Sequence, residues 1–348
     1  MTIFLSIEKA LESQLPFVVY RKPNTTLLKG WFQKNDNLYT SKEYTESGFI
    51  FAPFDDKNAA ILLPKEHSLF QEEEALFKID LSDENNFEPD YSSEKSHINL
   101  VEKGIKAIDE NQFKKVVLSR KEEVKLTDFN AIKTFKKLLA NYPNAFTYIW
   151  FHPKVGMWLG ATPETLVQIK DNNFKTMSLA GTQVFNNTTN VSWSPKEIEE
   201  QQFVTDYITD KLISICNKTA KETVETIKAG NLLHLRTLIS GEMNSENSTL
   251  IKKLHPTPAV CGLPLETSKA FILKNENYNR SYYTGFLGEL NLKIDTKNTS
   301  ELFVNLRCME IKNSSAFIFV GGGITKESNP KSEWIETVAK TKTMKKIL

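Results

Sequence analysis

Apolar residues change their spacing partway along this chain. Over residues 1–81 they come in short β-branched and aromatic runs: FVVYRK (17–22), TLLKGWF (26–32), GFIFAPF (48–54) and AAILLP (59–64). Runs of this length between turn residues predict strands. Residues 82–97, SDENNFEPDYSSEKSH, have almost nothing to bury and predict an exposed connection. From residue 98, helical spacing alternates with extended runs. INLVEKGIKAIDEN is helical, KKVVLSRKEEVKL (114–126) is extended, and DFNAIKTFKKLLANY is helical again with Asp128 as its expected N-cap. AFTYIWF, GMWLGAT, ETLVQIK and FKTMSLAGTQ predict four further strands.

A long helix follows over 194–216. Ser194 is its expected cap, Pro195 its first helical residue, and Glu197 closes a capping box. Ile198, Val204, Ile208, Leu212 and Ile215 are the expected buried stripe. SYYTGFLGELNL, ELFVNLRCMEI and SAFIFVGGG predict the last strands before a terminal helix. Strands joined by short turns favour antiparallel pairing, so the pattern predicts an α+β fold of layered antiparallel β-sheets flanked by helices. Residues 1–97 read as a strand-rich part of the same fold as 98–348.

Composition narrows the function. The chain has 348 residues, 40% of them hydrophobic, enough for one large domain or two ordinary ones. With 44 Lys and Arg against 43 Asp and Glu, no basic field points to nucleic acid or an anionic membrane. No apolar run approaches the ~20 residues of a membrane span. Glu8 interrupts the N-terminal apolar stretch too early for a secretion signal. Cys216, Cys261 and Cys308 are too scattered for a disulfide framework or a zinc site, and a cytoplasmic location is the expectation. The five histidines show no metal-binding spacing.

The densest chemistry lies in VGGGITKESNPKSEWIETVAKTK (320–342). Three glycines precede a helix on which Glu333, Glu336 and Lys340 fall within roughly one quadrant, at ~100° per residue. A solvated face with an i,i+4 pair between Glu336 and Lys340 would give the same pattern, and the glycines could merely turn the chain. Carboxylates beside bare backbone also suit a hard cation such as Mg²⁺ that grips an anion. Glu197 and Glu200 lie one turn apart on the 194–216 helix, with Glu199 to one side. Acids near a helix N-terminus also need no function beyond favouring the macrodipole.

Eight motifs occur in one order: KKVVLSR (114–120), GATPETLV (160–167), LAGT (179–182), EIEEQQFV (197–204), LHPTPAVCG (254–262), RSYYTGFLG (280–288), VNLRCMEI (304–311) and the glycine-led segment 321–344. In that order the chain resembles the chorismate-utilising enzymes related to anthranilate synthase component I, and most of all their isochorismate synthase branch. The resemblance covers roughly residues 98–348, with GFIFAPFD (48–55) as a weaker element.

The resemblance implies Mg²⁺-dependent conversion of chorismate to isochorismate. Glu200 and Glu336 would be the metal carboxylates, with Glu197 and Glu333 nearby as water-mediated partners. Gly321, through a strand-end N–H, and Lys340 would complete the clamp on the ring carboxylate. Arg307 and Tyr283 would hold the enolpyruvyl carboxylate, and Gly181, Thr182 and His255 would also serve the substrate site. His255 could equally be a satisfied structural histidine. Lys115 is the implied base and Glu164 the implied acid. Strand alternation turns Lys114 and Lys115 to opposite sides, so only one can enter the site.

Within the family, anthranilate synthases usually carry Gln at the position of Lys115. Aminodeoxychorismate synthases carry a nucleophilic Lys at that of Ala180. Both differences favour water over ammonia, so no glutaminase subunit is expected. A salicylate synthase, which also eliminates pyruvate, shares Lys115 and Glu164. An inactive chorismate-binding scaffold is the remaining alternative. Three departures stand out: Ser178 where proline often precedes LAGT, Gln183 where arginine often follows it, and Gln201 where histidine often follows the metal-binding glutamate. The isochorismate would feed menaquinone or siderophore synthesis.

Overall fold

A computed structural model describes residues 2–74, 91–229 and 232–348. The chain begins with α1 (Ile3–Glu12), β1 (Phe17–Arg21), β2 (Leu27–Gln33), β3 (Tyr39–Ser41), β4 (Gly48–Ala52), β5 (Ala60–Pro64) and β6 (Ser68–Glu74). It continues through α2 (Glu94–Asp109), β7 (Lys115–Lys125), α3 (Ala131–Asn141), β8 (Phe146–His152), β9 (Gly156–Thr162), β10 (Thr165–Lys170) and β11 (Asn173–Val184). Next are α4 (Pro195–Ile213), β12 (Cys216–Lys221), β13 (Glu225–Ala229), β14 (Leu232–Met243), α5 (Asn247–Leu254), β15 (Gly262–Leu263) and α6 (Leu265–Asn275). Last come β16 (Phe286–Ile294), β17 (Lys297–Val304), β18 (Cys308–Lys312), β19 (Ser315–Ile324) and α7 (Pro330–Lys345).

These strands form two sheets. One has nine strands in the order β15-β7-β19-β18-β9-β8-β1-β2-β6; the other has ten, β12-β14-β11-β10-β17-β16-β4-β5-β3, with β13 added on β14. Residues 1–97 therefore supply strands to both sheets. Their alternation shows how the layers stack. In β1, Phe17 and Val19 join a core shared with helices α1 and α3. Val18 and Tyr20 point the other way, into an aromatic core with Phe49, Phe51, Leu287 and Phe303 of the second sheet. A strand covered on both faces reads as one apolar run, as FVVY does. Each such buried side chain contributes roughly 1.5–3 kcal/mol against leaving it in water. Helices α4 and α5 cover the outer face of the second sheet, and α2 packs over the β7 edge of the first.

The layered antiparallel α+β architecture agrees with the apolar pattern; several local expectations differ. An additional helix, α1, buries Ile3, Ile7 and Ala10 at helical spacing. Helix α3 is capped by Asn130, whose side chain accepts from the Lys133 N–H at 2.8 Å, and not by Asp128. The part of the 82–97 connection within the described residues is already helical from Glu94, and His97 is buried against the Trp334 ring. Residues 281–284 form a turn before β16, which starts at Phe286. Ile198, in the first turn of α4, is 53% exposed. Its expected place on the buried stripe belongs to Gln201.

Candidate active site

Two neighbouring strands near one edge of the first sheet build one wall. β19 and β7 pair with Gly321 opposite Ser119, Gly322 opposite Leu118 and Gly323 opposite Val117. The three glycines thus lie within a strand and do not form a turn. Close approach explains their lack of side chains. A Cβ on Gly323 would come within 2.3 Å of Glu200 Oε1 and 3.1 Å of Lys115 Cε. One on Gly322 would meet Glu333 Oε2 at 3.2 Å and Glu336 Oε1 at 3.7 Å. Pairing continues past Gly321 to Ile324, so Gly321 is not at a strand end. Its carbonyl accepts from Lys340 Nζ at 2.8 Å.

Two helices close over that wall. In α7 the Asn329 side chain accepts from the Ser332 N–H at 3.0 Å, and Pro330 takes the first turn. This start directs Glu333, Glu336 and Lys340 along β19. The capping box of α4 joins Ser194 and Glu197 as expected. Opposite it, the β11–β14 ladder bulges between Ala180 and Gln183. Gly181 there has φ +72°, and a Cβ on it would lie 3.1 Å from the Glu197 Cβ. Only glycine meets both conditions at low cost.

Three lysines of the site each pair with a carboxylate. Lys115 Nζ lies 2.9 Å from Glu200 Oε1, Lys196 Nζ 2.7 Å from Glu333 Oε1, and Lys340 Nζ 2.5 Å from Glu336 Oε1. Burial would raise the Glu336 carboxyl, but Lys340 and Lys196 outweigh it and hold the group below its ordinary value. Glu333 is raised by burial, with Glu336 adding to the effect against Lys196.

These walls enclose a cavity of about 100 Å³ lined by Glu164, Gly181, Thr182, Glu197, Glu200, Tyr283, Arg307, Gly321, Glu336 and Lys340. Lys115 is wholly buried and does not itself line the cavity, but it touches Glu200, which does, whereas Lys114 faces solvent. Glu333 stands beside Gly322. Tyr283 stacks on Phe319 with ring centroids 5.5 Å apart. Arg307 adopts φ +46°, an uncommon conformation that clusters at functional positions. Burial pushes the Glu164 carboxyl up to about 8, even though Lys115 and Arg307 pull it down. A carboxylic acid that stays protonated at neutral pH can donate a proton.

His255 does not line the cavity. Its Nε2 lies 3.1 Å from the Pro53 carbonyl and its ring packs edge-on against Phe286; burial lowers its pKa to about 4. It is a neutral structural histidine, held away by that carbonyl. Lys196 and His234 do line the cavity, and sequence reasoning missed both. The His234 Nδ1 lies 2.8 Å from the Gly181 carbonyl and 3.3 Å from Thr182 Oγ1, while its Nε2 has no hydrogen-bond partner. Burial, with Arg307 nearby, lowers its pKa to about 3. Only the bulged β11–β14 register brings it there, and LLHLRT carries no local signal of it. Lys196 was legible in principle, because it stands beside Glu197 in the capping box.

Carboxylates are the donor type that a hard cation takes. Glu200, Glu333 and Glu336 converge on backbone cleared of side chains, and Glu333 Oε2 is buried with no hydrogen-bond partner. Among the described residues, no group of three or more His, Cys, Asp or Glu side chains is placed to hold a metal ion. Mg²⁺ needs only one or two carboxylates, because water and substrate oxygens supply the rest.

Comparison with known proteins gives the family. Residues 52–348 match the family described as chorismate binding enzyme. The vibriobactin-specific isochorismate synthase of Vibrio cholerae is 30% identical over 243 residues, 66% of this chain and 60% of that protein. Isochorismate synthase DhbC of Bacillus subtilis is 30% identical over 268 residues, 71% of this chain and 66% of that one. The chain thus spans less than two thirds of the length of either relative. The crystal structure of the 2,3-dihydroxybenzoate-specific isochorismate synthase DhbC from Bacillus anthracis superimposes with a TM-score of 0.81 at 25% identity, covering 99% of both chains.

Proposed function

The chain belongs to the chorismate-binding enzymes, and on that premise we propose that it is an isochorismate synthase. The observation that carries this reading is the placement of buried Glu164 in the cavity wall with the buried Lys115 close behind it, in contact with Glu200 of the same wall; burial raises the Glu164 carboxyl to about 8. The reaction requires one group to take a proton from water and another to give one to a leaving hydroxyl.

Chorismate would enter with its ring carboxylate between β19 and α7. Glu200 and Glu336 would hold Mg²⁺, with Glu197 and Glu333 acting through water. The ion would supply positive charge that neutralises the carboxylate. Lys340 and the Gly321 backbone flank the same end. Arg307, with its planar fork, and Tyr283 would hold the enolpyruvyl carboxylate, and Gly181 and Thr182 would border the ring. Lys115 takes the proton of the water that bonds to C2. Both ring double bonds shift, the C4–O bond breaks, and Glu164 protonates the departing hydroxyl. One water enters and one leaves, so the product is an isomer.

Water as the nucleophile requires no glutaminase partner. The free cysteines Cys216, Cys261 and Cys308 suit a reducing cytoplasm. Among the described residues no helix is long and apolar enough to cross a membrane. The product would serve menaquinone or siderophore synthesis.

A salicylate synthase is the second reading, because such enzymes share Lys115 and Glu164 and add the loss of pyruvate, in which the C3–O bond of isochorismate would break as its C2 hydrogen passes to the enolpyruvyl methylene carbon. An inactive scaffold is disfavoured by the retention of Lys115, Glu164, Glu200, Arg307, Glu336 and Lys340. Chromatography after incubation with chorismate, with Mg²⁺ or with EDTA, decides among them. Isochorismate formed only with Mg²⁺ supports the main reading. Salicylate with pyruvate favours the second, and unconsumed chorismate in a folded sample sinks both.

A further inference from the structure

The interface between α4 and the second sheet is apolar along most of its length, with Val204, Ile208 and Leu212 against Phe174 and Ile239. At its active-site end it is polar. Gln201, 4% exposed, projects from α4 onto Ser178 of β11 and Thr237 of β14, which are direct partners in the strand ladder. Its Nε2 lies 3.1 Å from Ser178 Oγ, 2.8 Å from Thr237 Oγ1 and 2.9 Å from Thr205 Oγ1, one helical turn further on. Ser178 and Thr205 hydroxyls lie 2.6 Å apart, and Thr205 donates back to the Gln201 carbonyl at 3.1 Å. All four residues are buried. Two of the departures in the sequence, Ser178 and Gln201, are therefore in contact.

The location gives the cluster a consequence. Gln201 follows Glu200 directly, and Ser178 precedes Leu179, Ala180 and Gly181 of the cavity wall. Glu200 stands against Gly323 with no spare room. Apolar contacts are non-directional and let a helix slide by a fraction of an ångström, whereas hydrogen bonds between buried groups fix both height and rotation. An amide with two protons facing three hydroxyl oxygens is satisfied at one position only. We propose that Gln201 is a positioning residue: its hydrogen bonds to Ser178, Thr205 and Thr237 set the depth of α4 against the sheet and so hold Glu200 where it can bind the divalent cation. The inference rests on the cation reading of the site given above.

The test is direct binding of Mn²⁺ in the presence of chorismate, read from the electron paramagnetic resonance signal of free ion. Gln201→Leu, Thr237→Val and, as control on the same helix, Ile208→Val are compared with the unsubstituted chain, with thermal melts of each. Supporting groups of this kind change metal affinity by roughly tenfold or more. Gln201→Leu should weaken Mn²⁺ binding by about that factor, and saturating Mg²⁺ should restore much of its kcat. Thr237→Val should shift binding in the same direction, and it supplies the reading if Gln201→Leu does not fold. Ile208→Val should lower the melting temperature without moving Mn²⁺ affinity. Unchanged affinity in both latch variants overturns the proposal, as does an equal loss in Ile208→Val. An unsubstituted chain that binds no Mn²⁺ instead removes the cation reading on which the proposal rests.

Discussion

Lys115 Nζ lies 2.9 Å from Glu200 Oε1, close enough to pair the charges though not aligned as a hydrogen bond. One residue comes from β7, next to the edge of the first sheet, and the other from a helix on the opposite sheet. Gly323 lies beside both, and a methyl group there would meet Glu200 Oε1 at 2.3 Å and Lys115 Cε at 3.1 Å. The implied base and an implied metal ligand therefore share one contact.

Lys115→Ala should lower kcat by about 10²–10⁴-fold, the usual contribution of a positioned proton carrier. Chorismate binding should persist, because the carboxylate clamps are separate from Lys115. Calorimetric titration with chorismate and Mg²⁺ measures it; full turnover in this variant would remove Lys115 as the base.

Glu164 makes the pH dependence specific. Burial raises its carboxyl to about 8 from an ordinary 4.5. The acid form persists below that value, so kcat should fall as pH rises through about 8. Stability follows the same sign: the unfolded chain loses this proton near 4.5 and the folded chain near 8, so the contribution declines with rising pH across that window. Glu164→Gln should abolish turnover and flatten this part of the melting-temperature profile. A profile that keeps its slope would assign it to another group.

Glu336→Gln should weaken Mg²⁺ dependence and chorismate binding together, since the cation would carry the ring carboxylate. An activity titration with Mg²⁺ at several chorismate concentrations reads both. Unmoved titrations would return Glu336 to the role of a partner for Lys340.

Gly323→Ala tests the close approach. The new Cβ would meet the end of a side chain, Glu200 Oε1, at 2.3 Å. The fold should survive at a cost of roughly 1 kcal/mol or less, while activity falls through displacement of Glu200. Normal activity would show that the carboxylate has freedom to spare. Gly262→Ala offers the contrast, because its Cβ would strike the Lys115 carbonyl at 2.3 Å with φ at +141°. There the melting temperature should drop.

Much was legible from the sequence because its causes are local. Strands such as FVVY and AAILL follow from short apolar runs, and the start of α4 from Ser194, Pro195 and Glu197. Eight ordered motifs carried the family and nearly all the residues that line the cavity. Tertiary structure decided what depends on register and rotation. His234 reaches the cavity through a bulge between two strands, and His255, from an equally prominent motif, is held away by a backbone carbonyl. The glycines read equally as a turn until β7 paired with them and their neighbours proved to be carboxylates. Helical spacing put Ile198 on the buried stripe of α4, but the sheet accepted Gln201. A chain writes its local propensities residue by residue; which side chains meet across two sheets and a helix is settled only by packing.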